Sequence, residues 1–237
     1  MSGAITYTFF AIDKPLTPAQ RDQVRRLSRR VQPTARRAGF HYNVEGYDIP
    51  GGYKKLLASY YDVMARDDYG QFTLAFVLPY SKDLEAALKP YACDSCEYSD
   101  VVVVEKLSDR RLLVEITAFM DWEDIEDIRG LREFPWDRPS DDDAGDDDEY
   151  DDDDAEDGYD EPGGEVLETL ARLANCIRED VLKGDYRALC IAWDKLHCPD
   201  DDDDSDPSSA PPRPGNLKTL PAYLKQLRRM LHPGTNF

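Results

Sequence analysis

Four residues in the first fifth of the chain carry groups that exchange protons: Asp13, His41, Tyr42 and Asp48. Neighbouring carboxylate and imidazole groups shift each other's pKa, and they act as acid and base within hydrogen-bond reach, about 3 Å. They are weak catalytic candidates. The chain has no H-E-x-x-H, no serine elbow and no G-x-x-x-x-G-K-[ST] phosphate loop around which such groups could be organised. Asp13 reads first as a turn residue and His41 first as a structural donor. Any enzyme of unrecognised type would place its site where strand ends meet the Gly46–Gly52 loop.

Thiols offer a second chemistry. There are five, Cys93, Cys96, Cys176, Cys190 and Cys198. An odd number without a secretion signal favours reduced thiols in the cytoplasm. Cys93 and Cys96 form a C-x-x-C and are weak metal candidates. A structural zinc needs four ligands, and only the adjacent His197 and Cys198 are on offer, without a second C-x-x-C. A redox motif opens a helix, whereas Tyr98 begins a strand. The Asp-rich stretches fail the calcium-loop pattern: a sixth-position Gly145 puts Ser140 first, and Gly158 puts Gly164 twelfth. No metal and no cofactor is therefore expected.

Charge carries the strongest signal. The net charge is −20. Residues 137–161 hold 16 acidic side chains against one Arg, and 200–206 hold six Asp. These two tracts carry −21 between them, so everything else sums to +1. Like-charged blocks without apolar groups stay solvated, and both tracts read as disordered insertions. Opposing them, 14–37 carries eight Lys or Arg against one Asp. The spacing predicts a helix from Pro18 to Val31, with Thr17 as N-cap, Pro18 at its first position and Gln20 completing a capping box. Arg21, Arg25, Arg26, Arg29 and Arg30 become the polyanion-binding candidates, beside an apolar stripe of Val24, Leu27 and Val31.

The elements that must position these groups follow from periodicity. Strands are expected at 5–12, 40–44, 71–78, 98–105 and 111–118, the last two as a hairpin around Ser108 and Asp109. Helices are expected at 53–66, 81–88 with Ser81 as cap, and 121–132. Beyond the first acidic tract, Val166, Leu170, Leu173, Ile177 and Val181 form one stripe ended by Gly184. A second helix carries Leu189, Trp193 and Leu196. Leu217, Leu220, Leu224, Leu227 and Leu231 suggest a last one. The fold class is α+β: a mostly antiparallel sheet with helices packed on one face, then C-terminal helices. The organisation is an α+β domain at 1–135, an acidic linker at 136–163, a helical segment at 164–198, an acidic and Pro-rich linker at 199–215, and a C-terminal helix at 216–237.

The run Phe10-Ala11-Ile12-Asp13-Lys14-Pro15-Leu16-Thr17 resembles the opening of an uncharacterised bacterial protein family that shares an F-x-A-I-D-x-P-L-T phrase. Arg25, Leu27, Ser28 and Arg30, then Pro33 and Thr34, then Tyr42, Gly46 and Asp48 match its further positions. Residues 56–62 resemble its next helix. The resemblance covers about the first third of the chain. It implies a bacterial, cytoplasmic protein and supplies no catalytic residue. Tyr47 interrupts the Gly-Asp element, and the Asp tracts look like additions.

Apolar runs such as Leu74–Leu78 are too short to span a bilayer, and residues 1–10 lack a signal-peptide pattern, so no membrane partner is expected. A non-enzymatic interaction or adaptor protein is the leading expectation. Its partner is an unidentified protein, plausibly basic, or the acidic tract contacts the basic helix of the same chain. Direct nucleic-acid binding is not expected of so acidic a chain. The alternatives are a nucleic-acid mimic that captures a basic partner, with the acidic 121–133 stretch as its rigid surface, and the enzyme above.

Overall fold

The computed structural model describes residues 4–43, 48–94, 101–126, 128–137, 164–196 and 210–231. Apart from Asp137, both acidic tracts lie outside these residues, as do Cys96, Cys198 and the 44–47 part of the loop.

β1 (Ile5–Phe10) runs into a turn and then α1 (Pro18–Arg25), where Thr17 and Gln20 form the expected capping box. The helix ends six residues sooner than its apolar stripe suggests. The amide of Arg26 still bonds Asp22, but Leu27 bonds Val24 in a tightened turn. Pro33 disfavours helical backbone at Gln32, and the chain must turn back there to begin β2 (Arg37–Tyr42). Arg29 and Arg30 consequently sit in a turn, not on the helix. β2 also starts earlier than the expected 40–44.

The expected helix at 53–66 divides in two. α2 (Tyr53–Ser59) is followed by β3 (Val63–Asp68), a strand hidden inside the helical pattern. Val63, Met64 and Ala65 are each fully buried, because β3 lies inside the sheet with packing on both faces. An apolar run without alternation suits either element, and here tertiary pairing decides. β3 turns into β4 (Gln71–Pro79) through Tyr69 and Gly70, whose φ values of 58° and 86° give the two-residue hairpin twist that matches its strands.

After β4, α3 (Lys82–Leu88) is capped by Ser81, whose hydroxyl accepts the Leu84 amide. β5 (Cys93–Asp94), β6 (Val101–Lys106) and β7 (Arg111–Phe119) complete the sheet, the last two as the expected hairpin. The order is β2-β1-β3-β4-β7-β6-β5, with every neighbour antiparallel. α4 (Trp122–Glu126) is much shorter than the expected 121–132 helix; Gly130, at φ 76°, takes a backbone conformation no helix allows.

α5 (Gly164–Leu182), α6 (Arg187–Leu196) and α7 (Ala222–Met230) follow. α7 excludes Leu217 and Leu220: Pro221 is its N-cap, and a residue before proline avoids helical backbone. α5 lies across β1, β3 and β4. It buries Leu170, Leu173 and Ile177 completely, in one core with Phe72, Leu74, Val114 and residues of α6 and α7. The C-terminal helices thus cover one face, and segments 10–134 and 166–231 share that core. A smaller core of Tyr7, Phe9, Phe40 and Met64 lies on the opposite face, beneath Val24 of α1 and Leu56 and Leu57 of α2. Among the described residues no helix is long and apolar enough to cross a membrane.

Candidate functional site

The four proton-exchanging residues do not converge. Strand alternation puts His41, opposite Thr6, on the α5 face, and Tyr42, opposite Ile5, on the other. His41 Nδ1 meets the Thr6 hydroxyl at 2.8 Å. Asp13 lies past the other end of β1, about 20 Å away at roughly 3.3 Å per residue. Its carboxylate accepts from the Arg178 guanidinium at 2.6 Å. Arg178, 4% exposed, also donates to the Val77 carbonyl, so Asp13 tethers α5 to the sheet. Only Tyr42 and Asp48 remain together.

Around them is a polar cluster that spacing alone did not reveal. The Tyr7 hydroxyl donates to Asp48 Oδ1 at 2.8 Å, and the Ile49 amide donates to the same oxygen at 2.6 Å. Arg66, opposite Tyr7 on β3, lies 5.5 Å over the Tyr7 ring and pairs with Asp68. Tyr53 of α2 donates to Glu115 Oε2 at 2.8 Å, and Thr117 bonds Thr73 at 3.0 Å. The Tyr42 hydroxyl and Arg66 Nε are buried without a hydrogen-bond partner among the described residues. Alternation within β1, β3, β4 and β7 aligns Tyr7, Arg66, Thr73 and Thr117 in one row, but this needs the register, and β3 read as helix.

The electrostatics favour hydrogen bonding over acid–base exchange. Burial, then the bond to Asp48, pushes the Tyr7 phenol well above its usual range. Burial, then the charge of Glu115 and the bond to it, does the same for Tyr53. Burial and the Asp48 charge raise Tyr42. These phenols stay protonated near neutral pH and serve as donors to carboxylates.

The basic segment divides by role. Arg36 donates to the Ala11 and Ile12 carbonyls, both at 3.0 Å, and Arg37 pairs with Glu168 at 3.1 Å. These two fasten the turn and β2 to their neighbours. Arg25 pairs with Asp22 on the surface. Arg26, Arg29 and Arg30 are exposed and have no ion-pair partner among the described residues. Arg21 is half-buried, and its Nε lacks a partner.

Asp137, the first residue of the long acidic tract, belongs to the folded body: its carboxylate accepts the Phe134 amide and pairs with Arg172. α4 is too short to display a row of carboxylates, and Asp124 on it is engaged by Arg229. Cys93, Cys176 and Cys190 are buried. Cys96 lies outside the described residues. Burial raises the Cys176 and Cys190 thiols, which makes them poor nucleophiles. Compared with protein-family models, with curated proteins and with solved structures, the chain matches none.

Proposed function

We propose that this is a non-enzymatic interaction protein, bacterial and cytoplasmic, that works through electrostatic contacts between basic surface and acidic chain. The reading is carried by Arg26, Arg29 and Arg30, exposed and without an ion-pair partner among the described residues, with Arg21 and Arg25 beside them on α1. Arginines at this density attract polyanions, and the nearest abundant polyanion is the 137–161 tract of the same chain. That tract competes with external anions for the arginines, or engages a basic partner when it is displaced. The dispersal of Asp13, His41 and Asp48 and the raised phenols favour this reading over an enzyme.

Replacing the Asp residues of 141–154 with Ser tests it. Affinity for poly-glutamate at 20 mM salt rises at least five-fold, and adding Arg26→Glu, Arg29→Glu and Arg30→Glu abolishes the gain. At 150 mM salt the difference shrinks, because exposed charges are screened over about 8 Å. An unchanged affinity in the Ser variant refutes the internal competition. A gain that survives the three Glu substitutions moves the surface elsewhere.

A further inference from the structure

At the far side of the molecule from α1, a groove of about 510 Å³ runs between α7, the end of α6 and the turn at 215–219. Its walls are cationic. Lys195 comes from α6, Lys218 from the turn, and Lys225 and Arg228 from α7. Among the described residues none of these four has an ion-pair partner and no carboxylate lines the groove. The remaining cation, Arg229, reaches Asp124 Oδ1 at 3.4 Å, on the side of α4. Leu217 and Leu220 supply an apolar floor, partly buried against the main core.

Helical periodicity produces this arrangement. α7 turns Tyr223, Leu224, Leu227 and Met230 into the core, which leaves Lys225, Arg228 and Arg229 facing out. Pro221 ends the preceding turn and holds Leu217 and Leu220 beside them rather than on the helix. Four unpaired like charges around one concavity repel each other, and an anionic occupant relieves that repulsion.

We propose that this groove docks an acidic peptide segment of a partner protein, one carrying an aliphatic side chain between carboxylates. The carboxylates meet Lys195, Lys218, Lys225 and Arg228, and the aliphatic group covers Leu217 and Leu220. A nucleic acid fits less well, because among the described residues no aromatic ring lines the groove to stack a base. A simple inorganic anion leaves the leucines uncovered. The chain's own 200–206 tract complements the walls but has no aliphatic side chain for the floor. This surface is separate from the α1 arginines, and either can fail alone.

The test is fluorescence anisotropy on the full chain at 50 mM salt with three probes of equal charge: a peptide alternating Glu and Leu, poly-glutamate, and a dT oligonucleotide. The Glu/Leu peptide binds at least five-fold tighter than poly-glutamate. The paired substitution Lys225→Glu and Arg228→Glu weakens it at least ten-fold, with Lys218→Glu as a second variant should the pair not fold. Leu220→Ser removes the preference for the Leu-containing peptide and retains poly-glutamate binding. Arg29→Glu with Arg30→Glu changes none of this. Equal binding of the two peptides, tighter binding of the oligonucleotide, no binding of any probe, or a loss confined to the Arg29 and Arg30 variant each overturns the proposal.

Discussion

Asp62 offers the sharpest test of how the sheet is held together. It stands between α2 and β3, 3% exposed. Its Oδ2 accepts the amides of Ile12 and Asp13 at 2.8 and 2.9 Å, and its Oδ1 faces Arg111 at 3.2 Å. Asp62→Ala leaves two amides without an acceptor, at about 1–3 kcal/mol each. It also strips Arg111 of its counter-charge, although Arg111 keeps the Leu57 and Tyr61 carbonyls and is 25% exposed in its side chain. These effects overlap, and a total of about 3–5 kcal/mol is expected. Asp62→Asn keeps one oxygen for both amides and turns its NH₂ toward Arg111. It loses the charged contact and sets its NH₂ against the Arg111 donors, about 1.5–3 kcal/mol in all. With a urea slope of about 2.5 kcal/mol/M, the midpoint falls by about 1.2–2 M in the Ala variant and about 0.6–1.2 M in the Asn variant. Urea titration followed by tryptophan fluorescence at pH 7 measures both. Equal losses in the two variants, or a loss under about 1 kcal/mol in Asp62→Ala, refute the reasoning.

Three further outcomes follow from local geometry. At Asp185, burial works to raise the carboxyl, but the hydrogen bonds and charge of Arg187 outweigh it and hold the group below its usual range. A depressed carboxylate stabilises the fold above its unfolded pKa and loses that contribution as pH falls through the folded one. Asp185→Asn is therefore less stable at pH 7, by under about 1 kcal/mol for this half-buried pair at the surface, and thermal melts converge with wild type below the carboxylate range. A deficit that persists unchanged at acid pH contradicts this. Tyr223 donates to Asp180, which also pairs with Arg132 at 2.7 Å, so Tyr223→Phe costs about 1.5–3 kcal/mol in chemical denaturation; a neutral result refutes the assignment. In a Cys96→Ser, Cys198→Ser variant, Cys176 and Cys190 react with a disulfide reagent only as fast as the protein opens, and rapid labelling of either, mapped by mass spectrometry, refutes their burial.

Much of the fold was legible because local signals agreed with the tertiary outcome. Thr17 and Ser81 mark helix starts through their own hydroxyls, β4 and β7 are long apolar runs, and α5 carries its core stripe over several turns. β3 was not legible. Leu56, Leu57, Tyr60, Tyr61 and Met64 fit a helical face, and only pairing with both β1 and β4 makes Val63–Asp68 a strand. The late start of α7 was set by Pro221, whose effect on Leu220 outweighed the apolar spacing, while α1 ends where the Leu27 amide bonds Val24 in a tightened turn that the spacing does not signal. The polar cluster depended on register between strands far apart in sequence, and the α7 groove on three segments meeting in space. Neither leaves a spacing signature within one stretch of chain.

The bond between Asp13 and Arg178 joins residues 165 positions apart. β7, the last strand among the described residues, ends at Phe119, while α5 ends at Leu182. A growing chain therefore completes its sheet about 60 residues before it possesses the helix that covers one face. At roughly 5–20 residues per second, synthesis leaves that face bare for roughly 3–12 s. The 137–161 tract, at a net −15, emerges within this interval. The strongest block of like charge is thus made while that face is bare, and like-charged segments on neighbouring chains repel.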